Sequence, residues 1–543
     1  PALRVAILEV SPLFEQGRVR LDWKLENHLG APVPARLRAI IHGARQGGEA
    51  VRPADAVVAE LEIPVGASEG HTELAVPGIA AWSPAQPHLH FATLVALDAA
   101  GSVLGARNER FGFRGFRAYG GGFRLNGKPV YLFGENLSSV RYGGTGEPAA
   151  SLAARMAADV ADLRAHGYTI MRNAHMPILP ALLDLADEQG LMVFDEWAWS
   201  FTKNLDPQEF PRRNLRELEE WVRRDYNHPA VTMWSCGNEV SYDAPLVHAQ
   251  LDAQVALVRA LERSGRPVST FSGAAFGYGG KALDTDVLDL HEYLGLSEAP
   301  WTTWRRAAAR CYSFLDQAYG AGICERKPFI IWECVGFSWG QKSDASYKPG
   351  DAEAYVRWAG KTTSWGRPEG VGFTGTLGLA AALDPKRGLI EGRSIYGRRI
   401  GEAIRRDPVC DGFAPWFHGH LEAARQWTQP VLASMAGANG LPLRHPLGGS
   451  RLEQSVMVIN SSPEALSGAH LRATLVGADG SQHELAHLPV PPIEPMGRVE
   501  LPLVAQLPIV TTAGWWQLRL LVQAGGQERS RPLLLVFAVL EAE

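Results

Sequence analysis

The sequence predicts three domains: a β-sandwich over residues 1–116, a (β/α)8 barrel over 117–430 and a second β-sandwich over 431–543. Three observations predict this. Apolar and polar residues alternate in the strand period from residue 1 to about 114, with turn signals between the runs. From Arg117 to about Pro430, short apolar runs instead alternate with amphipathic helical stretches. The strand period then returns over 445–541.

The first sandwich is carried by Arg18–Leu25, closed by the turn Asn27–Gly30, and by Leu37–Ile41, Leu61–Pro64, Thr72–Val76 and Leu89–Leu97. Barrel strands are expected at Pro129–Asn136, Thr169–His175, Leu191–Trp197, Val231–Glu239, Pro267–Gly273, Val287–Tyr293, Phe329–Gly336 and Cys410–Phe417. Helices fit between them at Leu152–His166, Leu179–Glu188, Asn214–Asp225, Ala244–Ser264 and Trp304–Tyr319. Eight β/α units over this length match a barrel with loop insertions. An open doubly wound sheet needs a Gly-x-Gly-x-x-Gly turn after its first strand, and the chain reads Gly134, Glu135, Asn136 there. The last sandwich is carried by Gln454–Ile459, Leu471–Val476, Arg498–Leu503 and Trp516–Val522.

Composition narrows the function. Hydrophobic residues at 46% and charged residues at 20% describe a globular chain rather than a disordered one. No apolar run approaches the ~20 residues that span a bilayer, so no membrane partner is expected. A net charge of −5 argues against a nucleic-acid partner. Pro1–Val5 reads as the approach to a strand rather than an export signal, leaving cytoplasmic or periplasmic residence open. The five cysteines form no C-x-x-C pair and read as buried thiols. No His, Cys or Asp cluster has metal-ligand spacing, so no metal or cofactor is expected. An oligomer is possible but not indicated. Twelve of the 16 tryptophans fall between residues 197 and 427, where flat rings suit either core packing or sugar stacking.

In a barrel, chemistry gathers where strands end. The proposed ends are Glu135 and Asn136; Arg172, Asn173 and His175; Asp195 and Glu196; Asn238 and Glu239; His291, Glu292 and Tyr293; Glu333; and Trp416. Two acids stand out. Glu239 ends an apolar run that passes through small residues into an amide–acid pair, and Glu333 ends the apolar run FIIW. They lie 94 residues apart, about three units of ~31 residues, which places them on strands four and seven across a barrel mouth. Two opposed carboxylates are the apparatus for splitting a glycosidic bond: one protonates the leaving oxygen, the other attacks the anomeric carbon or activates water.

These residues carry a resemblance. WSCGNE at 234–239, preceded by RDYNHP at 224–229, resembles the acid/base signature of glycoside hydrolase family 2, which contains β-galactosidases, β-glucuronidases and β-mannosidases. FRLNGKP at 123–129, IMRNAH at 170–175, LDLADEQG at 183–190 and FDE at 194–196 match it in order. WSPAQPHL at 82–89 and FGFR at 111–114 resemble the end of that family's immunoglobulin-like domain. The resemblance covers residues 1–340. It implies a TIM barrel behind an immunoglobulin-like sandwich and a retaining exo-β-glycosidase, with Glu239 as acid/base and Glu333 as nucleophile. A β-galactoside is the first expectation, with a β-mannoside or β-glucuronide as alternatives. The family usually opens with a jelly-roll domain for which this chain has no room, and its first strand usually carries a His soon after the Asn. Here Leu137, Ser138 and Ser139 follow Asn136. The Asn-x-Lys-Gly motif of β-glucuronidases is missing. A carbohydrate-binding or scaffold homologue that lost turnover is therefore the competing function.

Several of the remaining residues have two readings. Asn238 would bond the sugar 2-OH. Arg172 either holds the nucleophile ionised or forms a structural ion pair with Asp195. His175 and His291 contact sugar hydroxyls or fill the core, and Tyr293 would bond the nucleophile. Trp416 would floor the sugar site, with Glu135, Asn136 and Trp339 lining it. Glu292 and Glu196 compete with Glu333 for the nucleophile's role. Asp195 and Glu196 otherwise read as support, and His228 as fixing a turn. The long 337–409 excursion would shape the pocket, with a structural excursion or an oligomer contact as the alternatives.

Overall fold

The computed structural model describes residues 3–43, 54–137, 139–143, 146–200, 206–240, 245–273, 282–292, 300–334, 401–415, 425, 427–435, 448–477, 480–509, 514–530 and 533–539. Its barrel strands are β1 (Leu132–Asn136), β2 (Ile170–Arg172), β3 (Met192–Glu196), β4 (Val231–Ser235), β5 (Val268–Ser269), β6 (Leu288–His291), β7 (Phe329–Glu333) and β8 (Cys410–Phe413). They follow the order β5-β4-β3-β2-β1-β8-β7-β6 in one sheet, the cyclic order of an eight-stranded β/α barrel. Helices α1 (Ala149–Ala165), α2 (Pro180–Gln189), α3 (Phe210–Asp225), α4 (Pro245–Leu261) and α5 (Pro300–Tyr319) lie between strands. Every residue of β1, β3, β4 and β7 is buried, as expected for parallel strands covered on both faces.

The strands are shorter than their apolar runs. Continuous pairing in β4 stops at Ser235 and resumes only as bridges from Asn238 to Ser200 and Ser272, before Glu239 turns with a left-handed φ of 40°. Gly237 has no room for a side chain: a Cβ there would sit 2.7 Å from the Trp199 carbonyl oxygen. At the first strand, Lys128–Val130 forms a separate short strand and the barrel begins at Leu132 rather than Pro129.

The chain divides into two compact units, the first comprising Pro1–Lys128, Leu137–Arg164 and Thr169–Asp289. Its β-sandwich pairs a three-stranded antiparallel sheet (Leu3–Leu13, Arg18–Asn27, Gly66–Ala75) with a four-stranded one (Ala54–Ile63, Val33–His42, His90–Leu97, Val103–Phe111). Val19, Leu21, Trp23 and Leu25 alternate inward along one strand, the pattern the sequence carries there. The sandwich grips the barrel strands of the same unit. Arg114 donates to the carbonyls of Pro229 (2.8 Å) and Val231, and Trp82 Nε1 donates to the Asp187 carbonyl at 2.9 Å. Helix α2 opens on Pro180 and stops at Gly190, whose φ of 74° suits a residue without a side chain.

The second unit comprises Pro129–Asn136, Ala165–Tyr168 and Leu290–Glu543. Buried Arg405, from a helical stretch at 401–406, donates to the carbonyls of Trp427 (3.0 Å) and Pro430 (3.1 Å) at the root of the C-terminal sandwich. That sandwich has one sheet of Val431–Met435, Arg451–Asn460 and Arg498–Gln506. Its other sheet has Gln482–Val490, Ala469–Val476 and Gly514–Ala524, the last also pairing with Leu533–Val539. The excursion at 337–409 lies outside the described residues up to 400.

Candidate active site

In the first unit the ends of β2, β3 and β4 converge on one buried carboxylate. Glu196 takes Arg172 Nε at 2.9 Å and Nη2 at 3.0 Å, the His175 backbone N–H at 2.7 Å and Ser235 Oγ at 3.2 Å. Burial alone would raise this carboxyl, but the Arg172 guanidinium and the bonds from Arg172 and His175 hold it below the usual range. Arg172 also donates through Nη2 to Oδ1 of Asn238, and Asn238 Nδ2 donates to Ser200 Oγ at 3.1 Å. Arg172, Glu196 and Asn238 are fully buried. Arg172 therefore forms an ion pair with Glu196, while Asp195 lies beside Asp225 and Arg224.

Asp195 points the other way. It accepts from Trp221 Nε1 of α3 at 3.1 Å, and burial beside Asp225 pushes its carboxyl well up. Glu239, half-buried, follows Asn238; its backbone N–H donates to the Ser272 carbonyl at 2.9 Å. His175 also has a left-handed backbone, φ 71°, and its Nδ1 lies 3.6 Å from Glu196.

In the second unit Glu333 is the last residue of β7 and 4% exposed. His291, the last residue of β6, brings Nδ1 to 3.6 Å from its Oε2. The Glu292 backbone N–H donates to the Glu333 carbonyl at 3.0 Å. The Glu292 side chain accepts instead from Arg310 of α5 at 2.7 Å. Both competitors for the nucleophile's role thus carry an arginine partner.

Asn136 was expected to line the sugar site. Its side-chain amide donates to the backbone carbonyl of Trp332 at 2.8 Å and lies 3.3 and 3.5 Å from those of Pro415 and Ala414. It secures the end of β7 directly before Glu333. Glu135 is buried and takes a hydrogen bond from Tyr168. Tyr293, Trp339 and Trp416 lie outside the described residues.

Residues 117–297 match the family model described as glycosyl hydrolases family 2, TIM barrel domain. That segment holds strands β1 to β6 and helices α1 to α4, and it is similar to the barrel domain of glycosyl hydrolase family 2. Among curated relatives, a β-galactosidase from Aeromonas hydrophila is 30% identical over 288 residues, covering 49% of this chain and 25% of that protein. The Homo sapiens β-glucuronidase is 29% identical over 237 residues, covering 41% of this chain and 35% of that one. The matched segment is thus only about a quarter to a third of these two relatives. Among solved structures, a β-D-mannosidase from Dictyoglomus thermophilum aligns with TM-score 0.67 at 14% identity, covering 99% of this chain and 67% of that one. A β-galacturonidase from Eisenbergiella tayi aligns with TM-score 0.59 at 18% identity, covering 79% and 72%. Both show the fold.

Two further features of the barrel escaped sequence reasoning. Ser200 and Ser235 complete the Asn238 and Glu196 contacts, and nothing distinguishes them from other serines in sequence. Asp184 and Asp187, three apart on α2, meet His228 with one ligand atom each, all within 4.8 Å. No spacing rule links residues so far apart in the chain. Arg110 already bridges Asp184 and Asp187, and His228 Nδ1 bonds Asp187 at 2.7 Å, so this group reads as an ion-pair network.

Proposed function

We propose that this chain is a retaining exo-β-glycosidase acting on a terminal β-linked sugar, a β-galactoside first, by double displacement. The observation that carries the reading is Glu239, held with Asn238 beyond β4 inside the family 2 segment. Glu239 protonates the leaving oxygen and later deprotonates water, while Glu333 attacks the anomeric carbon and is released by that water. Asn238 meets the sugar 2-position, where contacts strengthen in the oxocarbenium-like transition state. The reaction needs no cofactor. No helix among the described residues is long and apolar enough to cross a membrane.

The test is aglycone release from aryl β-galactoside, β-glucuronide and β-mannoside, with the product anomer followed by NMR. The reading expects fastest release from the β-galactoside and the β-anomer as first product. First appearance of the α-anomer would make the enzyme inverting, and release from none of the three would leave a binding protein.

A further inference from the structure

An amide can present either its N–H groups or its carbonyl oxygen to a ligand, and the surroundings decide which. Arginine carries donors only, so the Asn238 atom that meets Arg172 Nη2 is the carbonyl oxygen. The amide nitrogen is thereby turned to the other side, where one hydrogen goes to Ser200 Oγ at 3.1 Å. Arg172 cannot swing away from this duty. Its Nε and Nη2 are clamped on the two oxygens of Glu196, and Glu196 is itself held by the His175 N–H and Ser235 Oγ. A bidentate pair of this kind fixes the guanidinium plane as well as its position.

We propose that Glu196, acting through Arg172, is a positioning residue that locks Asn238 as a hydrogen-bond donor toward the substrate. The enzyme then takes sugars whose C2 substituent accepts a hydrogen bond and rejects those whose C2 substituent only donates. This rests on the proposed β-glycosidase reading, in which Asn238 meets the sugar 2-position. A 2-hydroxyl offers lone pairs to the amide N–H. A 2-ammonium group offers three N–H donors and no acceptor, and it adds a positive charge near Arg172. A 2-deoxy sugar neither bonds nor repels.

The experiment compares three aryl β-glycosides that differ only at C2: hydroxyl, hydrogen and ammonium. With the wild-type chain, kcat/KM falls in that order, the ammonium sugar being on the order of 100-fold or more below the hydroxyl sugar. Asn238→Asp, which replaces the donor by an acceptor, compresses that ratio by about tenfold or more. Glu196→Gln, which keeps one acceptor oxygen and loses the charge, breaks the two-point clamp on the guanidinium and compresses the ratio likewise, an effect that loss of folded protein alone would not produce. If Glu196→Gln does not fold, Glu196→Asp, which keeps the charge but shortens the clamp, takes its place.

Equal turnover of the hydroxyl and ammonium sugars by wild type overturns the proposal. So does a ratio unchanged in the folded Glu196 variant. Release from none of the three by wild type is a different failure, since it removes the β-glycosidase reading itself.

Discussion

Glu239 sits beyond the paired end of β4, half-buried, with a left-handed backbone, whereas Glu333 is the last residue of β7, almost fully buried, in regular strand geometry. The surroundings differ in kind as well. The Glu239 side is organised by side chains around the Arg172–Glu196 ion pair. The end of β7 is organised through backbone carbonyls, with Asn136 on Trp332 and the Glu292 N–H on Glu333. A left-handed non-glycine residue costs roughly 1–3 kcal/mol and persists where its surroundings over-determine it. The contrast suits two jobs. A half-exposed carboxyl can exchange protons with solvent, and a buried one on a rigid strand suits a nucleophile that must not wander.

The largest expected effect tests the buried side. Glu333→Gln removes the attacking oxyanion and should lower aglycone release by on the order of 10⁴-fold or more with every leaving group. Glu239→Gln should be selective. Poor leaving groups slow by roughly 10²–10⁴-fold, while activated ones still form the glycosyl-enzyme, whose hydrolysis then limits turnover. A leaving-group series on both variants checks this, and parallel losses would erase the contrast.

Asn136→Ala tests whether backbone organisation at β7 matters to rate. Losing a donor from buried carbonyls costs about 1–3 kcal/mol. If the end of β7 shifts, kcat falls on the order of 10- to 100-fold with KM little changed. Denaturant unfolding beside steady-state kinetics separates the two contributions.

A smaller effect concerns Asp195. Its carboxyl is raised in the fold by burial and by Asp225, so the folded state keeps a proton that the unfolded chain loses near pH ~3.9. Stability from this site is therefore complete below that pH and declines as pH rises toward the folded value. Asp195→Asn mimics the protonated form. Its urea midpoint should decline less steeply than wild type's above about pH 4 and equal or exceed it at neutral pH.

The smallest effect is expected at the thiols. Burial pushes Cys236 up to about 12, and burial with Glu135 and Glu333 raises Cys334. Replacing both by Ala should leave the leaving-group dependence of turnover unchanged, and neither should alkylate in the folded protein.

The barrel and its polar strand ends were legible in sequence because buried parallel strands are apolar almost to their last residue. Which of two adjacent polar residues faces inward was not. Asp195 and Glu196 both end β3 and are both fully buried, yet successive side chains point to opposite faces. Asp195 meets Trp221 of α3, and Glu196 meets Arg172 at the end of β2. The same parity separates His291, beside Glu333, from Glu292, on Arg310 of α5. Apolar flanks on both faces erase the amphipathic contrast that would have set the parity. The backbone contact of Asn136 was hidden for a related reason: a buried amide at a strand end serves a ligand or a neighbouring backbone equally well in sequence. In the sandwiches, strands such as Gln482–Val490, mostly part-exposed, carried too little apolar pattern to stand out.

Arg114 ties the sandwich to the far end of the strand that leads to the proposed acid/base. Its guanidinium holds the carbonyls of Pro229 and Val231 where β4 begins, and that strand leads to Asn238 and Glu239. Gly112 lies so close to Pro229 that an added Cβ would come within 2.6 Å of its ring, leaving no slack at this joint. For an engineer, the sandwich is consequently the foundation of the strand that carries Asn238 and Glu239 rather than an interchangeable module. Grafting the barrel onto a foreign partner would have to recreate this anchorage before any choice of sugar could be redesigned.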